Sequence, residues 1–233
     1  MLKPWQNKYC PTEIQELLGD QKAKKHPLIA IQKKGDSEIG YYSRKEFEAI
    51  FSVHYQQNLC FETSELLEKA LKSCPWLLRN TFIGQEHRNL GARYRRALFD
   101  GSIEDVAIRW IDDEMGYGLF AQNVIAKETF IGQYTGVVKR YERFKTQRNA
   151  YCMQMPTGFF SFCYLFIDAK SAGNEMRFAN HSDAPTMKPI CMIDRSLVHI
   201  GLFACRDIKP NEELTFNYGK DFWRFRKKKS IIA

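Results

Sequence analysis

No two cysteines in this sequence stand as a CxxC pair. The seven cysteines fall at irregular spacings and their number is odd, which argues against both a zinc knuckle and a disulfide framework. That usage fits a reducing compartment, with Cys60, Cys74 and Cys163 read as packing residues. A long hydrophobic run is missing too. The stretch that comes nearest, Val198 to Cys205, is broken by His199 and Gly201, far short of the ~20 apolar residues of a spanning helix. The opening residues MLKPWQNKYC put a proline and polar side chains where a secretory signal needs unbroken apolar sequence. These absences lead to the expectation of a soluble, cytoplasmic protein without a metal site.

What is present is enough for a sizeable core: 233 residues, 44% of them hydrophobic, suffice for one domain or two. Lysine and arginine number 35 against 27 acidic residues, a net charge of +8. A surplus of that size favours acidic partners such as nucleic acid or nucleic-acid-bound proteins, or simply keeps the chain soluble.

The first hundred residues read as helical. Thr12 with Gln15, and Ser43 with Glu46, have capping-box spacing. Apolar stripes follow at helical intervals: Ile14, Leu17, Leu18; then Phe47, Ile50, Phe51 with His54 on the same face; then Leu66, Leu67, Ala70, Leu71, ending before Pro75. A fourth helix is expected over the basic segment His87 to Arg96, with Arg88, Arg93, Arg95 and Arg96 on a solvated face or toward an acidic partner. After Asp100-Gly101 the pattern changes to short alternating runs of β-branched and aromatic residues between Gly, Asn and Asp. Strands are expected over Val106 to Trp110, Tyr117 to Ala121, Phe130 to Tyr134, Phe162 to Ile167, Ile190 to Asp194, His199 to Ala204 and Glu213 to Phe216. The resulting division is a helical region at 1–103, a mostly-β domain at 104–223 and a basic tail at 224–233.

Four separated segments carry the chemistry: MGYGLFA at 115–121, QYTG at 133–136, RFANHS at 177–182 and EELTFNYG at 212–219. GYG followed by apolar residues and Ala121 is not the GxGxxG pattern of a dinucleotide-binding loop. Taken in this order, with FID at 166–168, GN at 173–174 and KDFW at 220–223, the segments resemble the SET domain of protein lysine methyltransferases. The resemblance implies an α+β fold: a mostly-β arrangement of short strands with a knot-like C-terminal segment, preceded here by the helical N-terminal region. It also implies S-adenosylmethionine as cofactor and the lysine of a histone or histone-like basic protein as substrate. Short length and the lack of a cysteine-rich segment after the domain look like bacterial, chlamydial-type SET proteins, some of which are secreted effectors acting on chromatin. That association sets an expectation of export to a host nucleus alongside the cytoplasmic one.

Methyl transfer from a sulfonium to an amine needs a neutral nitrogen in line with the methyl, yet free lysine titrates near ~10.4. An aromatic channel lowers that value by desolvation and aims hydroxyls and carbonyls at the nitrogen. By resemblance, Tyr218 matches the catalytic tyrosine, and Tyr134 the tyrosine that orients the target lysine. Tyr151 lines the cofactor and lysine region, and Phe216 lines the lysine channel in a form that leaves room for more than one methyl. Asn180 and His181 match the pair that holds the cofactor, the histidine largely through its main chain. Met115, Gly116, Tyr117, Arg177 and Phe222 match further cofactor positions, a structural salt bridge being the other reading of Arg177.

The chain departs from the family pattern in three places. After RFANHS it has Asp183, Ala184, Pro185 and Thr186 in place of Cys-x-Pro-Asn, so a zinc ligand is lost. Asn217 stands for the usual aspartate, and Gln133 for the usual glutamate. Phe222, Trp223 and the basic tail are candidates to cover the lysine channel instead. Two other functions compete: a catalytically weak SET-fold docking module for chromatin-associated partners, and a nucleic-acid binder using the basic segments. The N-terminal region is also a candidate surface for homo-oligomerisation.

Overall fold

The structure, a computed structural model, describes residues 28–72, 82–141, 149–156 and 164–223. The stripe at Ile14 to Leu18, the Thr12 capping box, Cys74, Cys163 and the tail at 224–233 lie outside the described residues.

Among the described residues, fifteen short strands are arranged in four small sheets with few helices. The first sheet has the order β2-β1-β5-β6, from Gly40–Tyr42, Ile29–Gln32, Val106–Asp112 and Gly116–Ala121. The second, β4-β8-β10-β9, is built from Cys60–Phe61, Val137–Tyr141, Tyr164–Asp168 and Cys152–Gln154. A two-stranded sheet pairs β11 (Ala172–Gly173) with β3 (His54–Tyr55). The five-stranded sheet β12-β15-β13-β14-β7 uses Asn180–His181, Thr215–Phe216, Met187–Asp194, Leu197–Ala204 and Phe130–Gln133. Here β15 lies between β12 and β13, parallel to both, with Asn180 opposite Thr215 and Met187 opposite Phe216. That register places RFANHS beside EELTFNYG.

The expectation of a helical N-terminal region is corrected for its described residues. Residues 28–61 supply four strands, and three of them add in parallel to strands of the motif-bearing half: Ala30 opposite Ala107, Cys60 opposite Val137, His54 opposite Ala172. Residue 103 is therefore no structural boundary among the described residues, and one core runs from Ile29 and Ile31 through Ile108 and Leu119 to Leu202 and Leu214. Strands of two to four residues carry too short a pattern to be read locally; partners far along the chain decide them.

The helices follow their signals more closely. Ser43 and Glu46 form the expected capping box on α1 (Arg44–Phe51), which buries Phe47. This helix stops at Ser52, whose φ of 53° is left-handed, so His54 falls on β3 rather than on the helix face. The third stripe forms α2 (Ser64–Lys72), which buries Leu66 and Ala70.

The basic segment lies within α3 (Phe82–Asp100). Leu90, Tyr94, Ala97 and Leu98 face Phe130, Met192 and Phe203 of the large sheet, while Arg93, Arg95 and Arg96 are exposed. Arg95 pairs with Asp194 and Arg96 with Asp100, so much of this face is solvated and internally neutralised. The helix ends on Gly101 at φ 59°, where Ser102 N–H reaches the Ala97 carbonyl.

The helix sits on the sheet at Gly91, where an added Cβ would overlap the carbonyl of Ile193. In a free helix Gly→Ala gains up to about 1 kcal/mol. Here the sign should reverse: Gly91→Ala is expected to destabilise by about 1–2 kcal/mol through overpacking. Urea unfolding checks it, and a stabilised variant would show that helix and sheet do not approach this closely.

Candidate functional site

The turn before β6 exists because Asp112 Oδ1 accepts from the N–H groups of Glu114 and Met115, and Gly116 takes φ 75°, a conformation that disfavours side chains. It leaves Met115, Gly116 and Tyr117 at the rim of a cavity of about 680 Å³. From a second direction the 3₁₀ turn Glu175–Phe178 leads into β12; Asn174 caps it by accepting from Met176 N–H. This brings Arg177, Phe178, Asn180 and His181 to the wall. From a third, β15 and α4 (Lys220–Trp223) bring Phe216, Tyr218, Phe222 and Trp223. Tyr134 and Tyr151 complete it. All eleven residues singled out in the sequence line this one cavity.

Tyr218 is held at three points. Its hydroxyl donates to the Ala179 carbonyl at 2.8 Å, and its N–H donates to His181 Nδ1 at 3.1 Å. Its ring lies 4.7 Å from Phe216 and 4.6 Å from Phe222. The imidazole of His181 therefore fixes the main chain of Tyr218, and its acceptor nitrogen is spent doing so. Gly219, at φ 81°, donates its N–H to Asn217 Oδ1 at 2.8 Å. An uncharged amide thus suffices for the turn at the position where the family carries aspartate.

Tyr134 is buried, and its hydroxyl donates to the Tyr151 carbonyl at 2.8 Å. The Tyr151 N–H in turn donates to Asn149 Oδ1, and Asn149 Nδ2 donates to Asp168, which also binds Lys139 Nζ at 2.9 Å. Burial pushes the phenols of Tyr134 and Tyr218 well above their ordinary range, so both stay protonated. Arg177 donates to the carbonyls of Ala169 and Lys170 and lies 4.4 Å over the Tyr151 ring. Burial lowers its pKa, and main-chain carbonyls fill the place foreseen for a salt bridge.

Asn180 Nδ2 donates to Glu213 Oε1 at 2.9 Å and, at 3.4 Å, approaches the Tyr117 carbonyl. Burial raises the pKa of Glu213, an effect the Asn180 hydrogen bond opposes. Gln133 Nε2 lies 2.9 Å from His199 Nδ1, so the amide that replaces the family's glutamate has its own partner. Among the described residues no group of His, Cys, Asp and Glu is placed to hold a metal ion.

The SET domain profile matches residues 116–219, the span that contains this cavity's motifs. The chain carries a SET domain. A histone-lysine N-methyltransferase, H3 lysine-36 specific, of Mycosarcoma maydis is 31% identical over 170 residues, which are 70% of this chain and 16% of that protein. Its counterpart in Schizosaccharomyces pombe is 33% identical over 120 residues, 48% of this chain and 14% of that protein. The chain spans less than a fifth of the length of these curated relatives. Among solved structures, ATXR5 in complex with histone H3.1 superposes with a TM-score of 0.58 at 18% identity, covering 76% of this chain and 85% of that one; this is a likeness of fold.

Within the SET domain, sequence reasoning missed Phe178, Asn149 and Glu213. Phe178 stands inside RFANHS and lines the cavity. Asn149 borders the cavity through its bond to Tyr151, which no local pattern signals. Glu213 lies in EELTFNYG, but which of its two acids turns inward is settled only by the bridge between Glu213 and Phe120.

Proposed function

We propose that this chain is a protein-lysine N-methyltransferase that takes its methyl group from S-adenosylmethionine and acts on a histone or histone-like basic protein. The observation that carries this is the convergence of four distant motifs on one cavity, with the protonated hydroxyls of Tyr134 and Tyr218 in its wall.

The residues present fit the cofactor. The volume of about 680 Å³ is in the range of nucleoside-sized sites. The wall offers the Asn180 amide and aromatic faces from Tyr117, Phe222 and Trp223. Trp223 Nε1 is buried without a hydrogen-bond partner among the described residues, an orphan donor of the sort a bound ligand satisfies. Met115, Gly116, Tyr117, Asn180, His181 and Phe222 would hold the cofactor, with Arg177 and Tyr151 closing the side toward Tyr134. When bound, the cofactor supplies an electrophilic methyl group on a sulfonium.

Every other contribution is the chain's own. Phe216, Tyr134, Tyr151 and Tyr218 strip water from an entering lysine, which lowers its pKa and releases the proton to solvent. Neither phenol serves as a phenolate base, because burial keeps both protonated. Each hydroxyl hydrogen is committed to a carbonyl, of Ala179 or Tyr151, so its oxygen lone pairs are what it would offer to a lysine nitrogen entering the cavity. Phe222 and Trp223, packed on Tyr218, cover that side of the lysine channel. The insertion of β15 between β12 and β13 supports the knot-like arrangement of the C-terminal segment.

The test is thermal unfolding with and without S-adenosylhomocysteine. At a hundred times its Kd the ligand should stabilise by about 2.7 kcal/mol, a shift of several degrees. A binding-dead docking module would show no shift.

A further inference from the structure

An asparagine in a binding wall can show a ligand either its oxygen or its amino group, and the two choices recognise opposite charges. At Asn180 the choice is made by the second layer. Its Nδ2 is committed to Glu213 Oε1 at 2.9 Å, with the Tyr117 carbonyl on the same nitrogen at 3.4 Å. Glu213 is itself fixed: its residue bridges to Phe120, and its main-chain carbonyl accepts from Thr186 Oγ1 at 3.1 Å. Its carboxylate sits where a Cβ on Gly118 would come within 2.8 Å, so the glycine of GYG makes room for it.

We propose that Glu213 is a positioning residue for ligand recognition: by holding the Asn180 amide nitrogen it leaves Asn180 Oδ1 to meet the ligand, selecting one with a cationic amino group. An Asn180 turned the other way would offer N–H donors, suited to a carboxylate. The Glu213 carboxylate behind the amide adds an attraction of the same sign, strengthened by its partial withdrawal from water. The inference rests on the cofactor assignment above, in which the amino-acid end of S-adenosylmethionine carries that ammonium.

Calorimetric titration of the full chain with S-adenosylhomocysteine and with its deaminated analogue tests it. The native chain should prefer the aminated ligand by about tenfold or more. Glu213→Ala should erase most of that preference by weakening the aminated ligand alone, and adding Asn180→Ala should bring little further loss. Glu213→Gln, which keeps an acceptor at the same reach, should retain the preference. Glu213→Asp, which withdraws it by one methylene, should lose it, and this contrast stands even if the alanine variant does not fold. Equal weakening of both ligands by Glu213→Ala, or a Gln variant no better than Asp, overturns the positioning role while leaving the cofactor assignment intact. A native chain that binds neither ligand overturns the cofactor assignment and this inference with it.

Discussion

Tyr218→Phe should reduce methyl transfer to histones by at least about a hundredfold, the usual consequence of removing one aimed polar group from a reacting centre. The phenylalanine ring keeps the contacts to Phe216 and Phe222. The hydroxyl's bond to the Ala179 carbonyl is lost, a loss of about 1 kcal/mol of stability. Affinity for S-adenosylhomocysteine should stay within about threefold, since the Tyr218 N–H still anchors His181. Tritiated-methyl transfer measured beside ligand affinity separates the two quantities. Transfer that survives within about fivefold would remove Tyr218 from the chemistry and return it to the core.

Acidification should destabilise the fold through His199. Burial holds its pKa down to about 4, below the ordinary value of 6.5, with only a partial opposing pull from Asp194. Gln133 Nε2 can only donate, so His199 Nδ1 accepts and the ring is neutral. The unfolded chain takes up its proton from about pH 6.5 downward, while the folded chain resists until about pH 4. Stability from this group is therefore complete above pH 6.5 and is lost as pH falls toward 4. The full shift corresponds to roughly 3 kcal/mol, and the ring's residual contact with solvent reduces the expected effect to about 2. Urea unfolding at pH 7 and pH 5 should show the native chain losing more stability than His199→Gln, which cannot titrate. Equal losses would place the acid sensitivity elsewhere.

Much of the site was legible because its residues stand in contiguous motifs. RFANHS and EELTFNYG keep their cavity-lining residues within a few positions of one another, and β12 beside β15 makes them neighbours in space. The helices were legible for a similar reason: capping at Ser43 and the stripe from Leu66 to Leu71 are local statements about a turn of helix. The failures share one cause as well. Strands β1 to β4 are two to four residues long, and three of them form because a partner far along the chain accepts them: Ala107 for Ala30, Val137 for Cys60, Ala172 for His54, while β2 pairs with β1. The spacing of His54 from Phe51 suits a helix face, and no local pattern signals the left-handed Ser52 between them.

By itself, then, the sequence determined the SET-like motif order, eleven of the residues that line the cavity and the helices α1 to α3, because motif order, apolar periodicity and capping are properties of short segments. The tertiary structure alone decided that the N-terminal strands belong to the same core, that His181 serves the backbone of Tyr218, and that Glu213 stands behind Asn180. Each of these depends on which distant groups meet, and in a sheet protein that is settled by non-local pairing once the chain has closed.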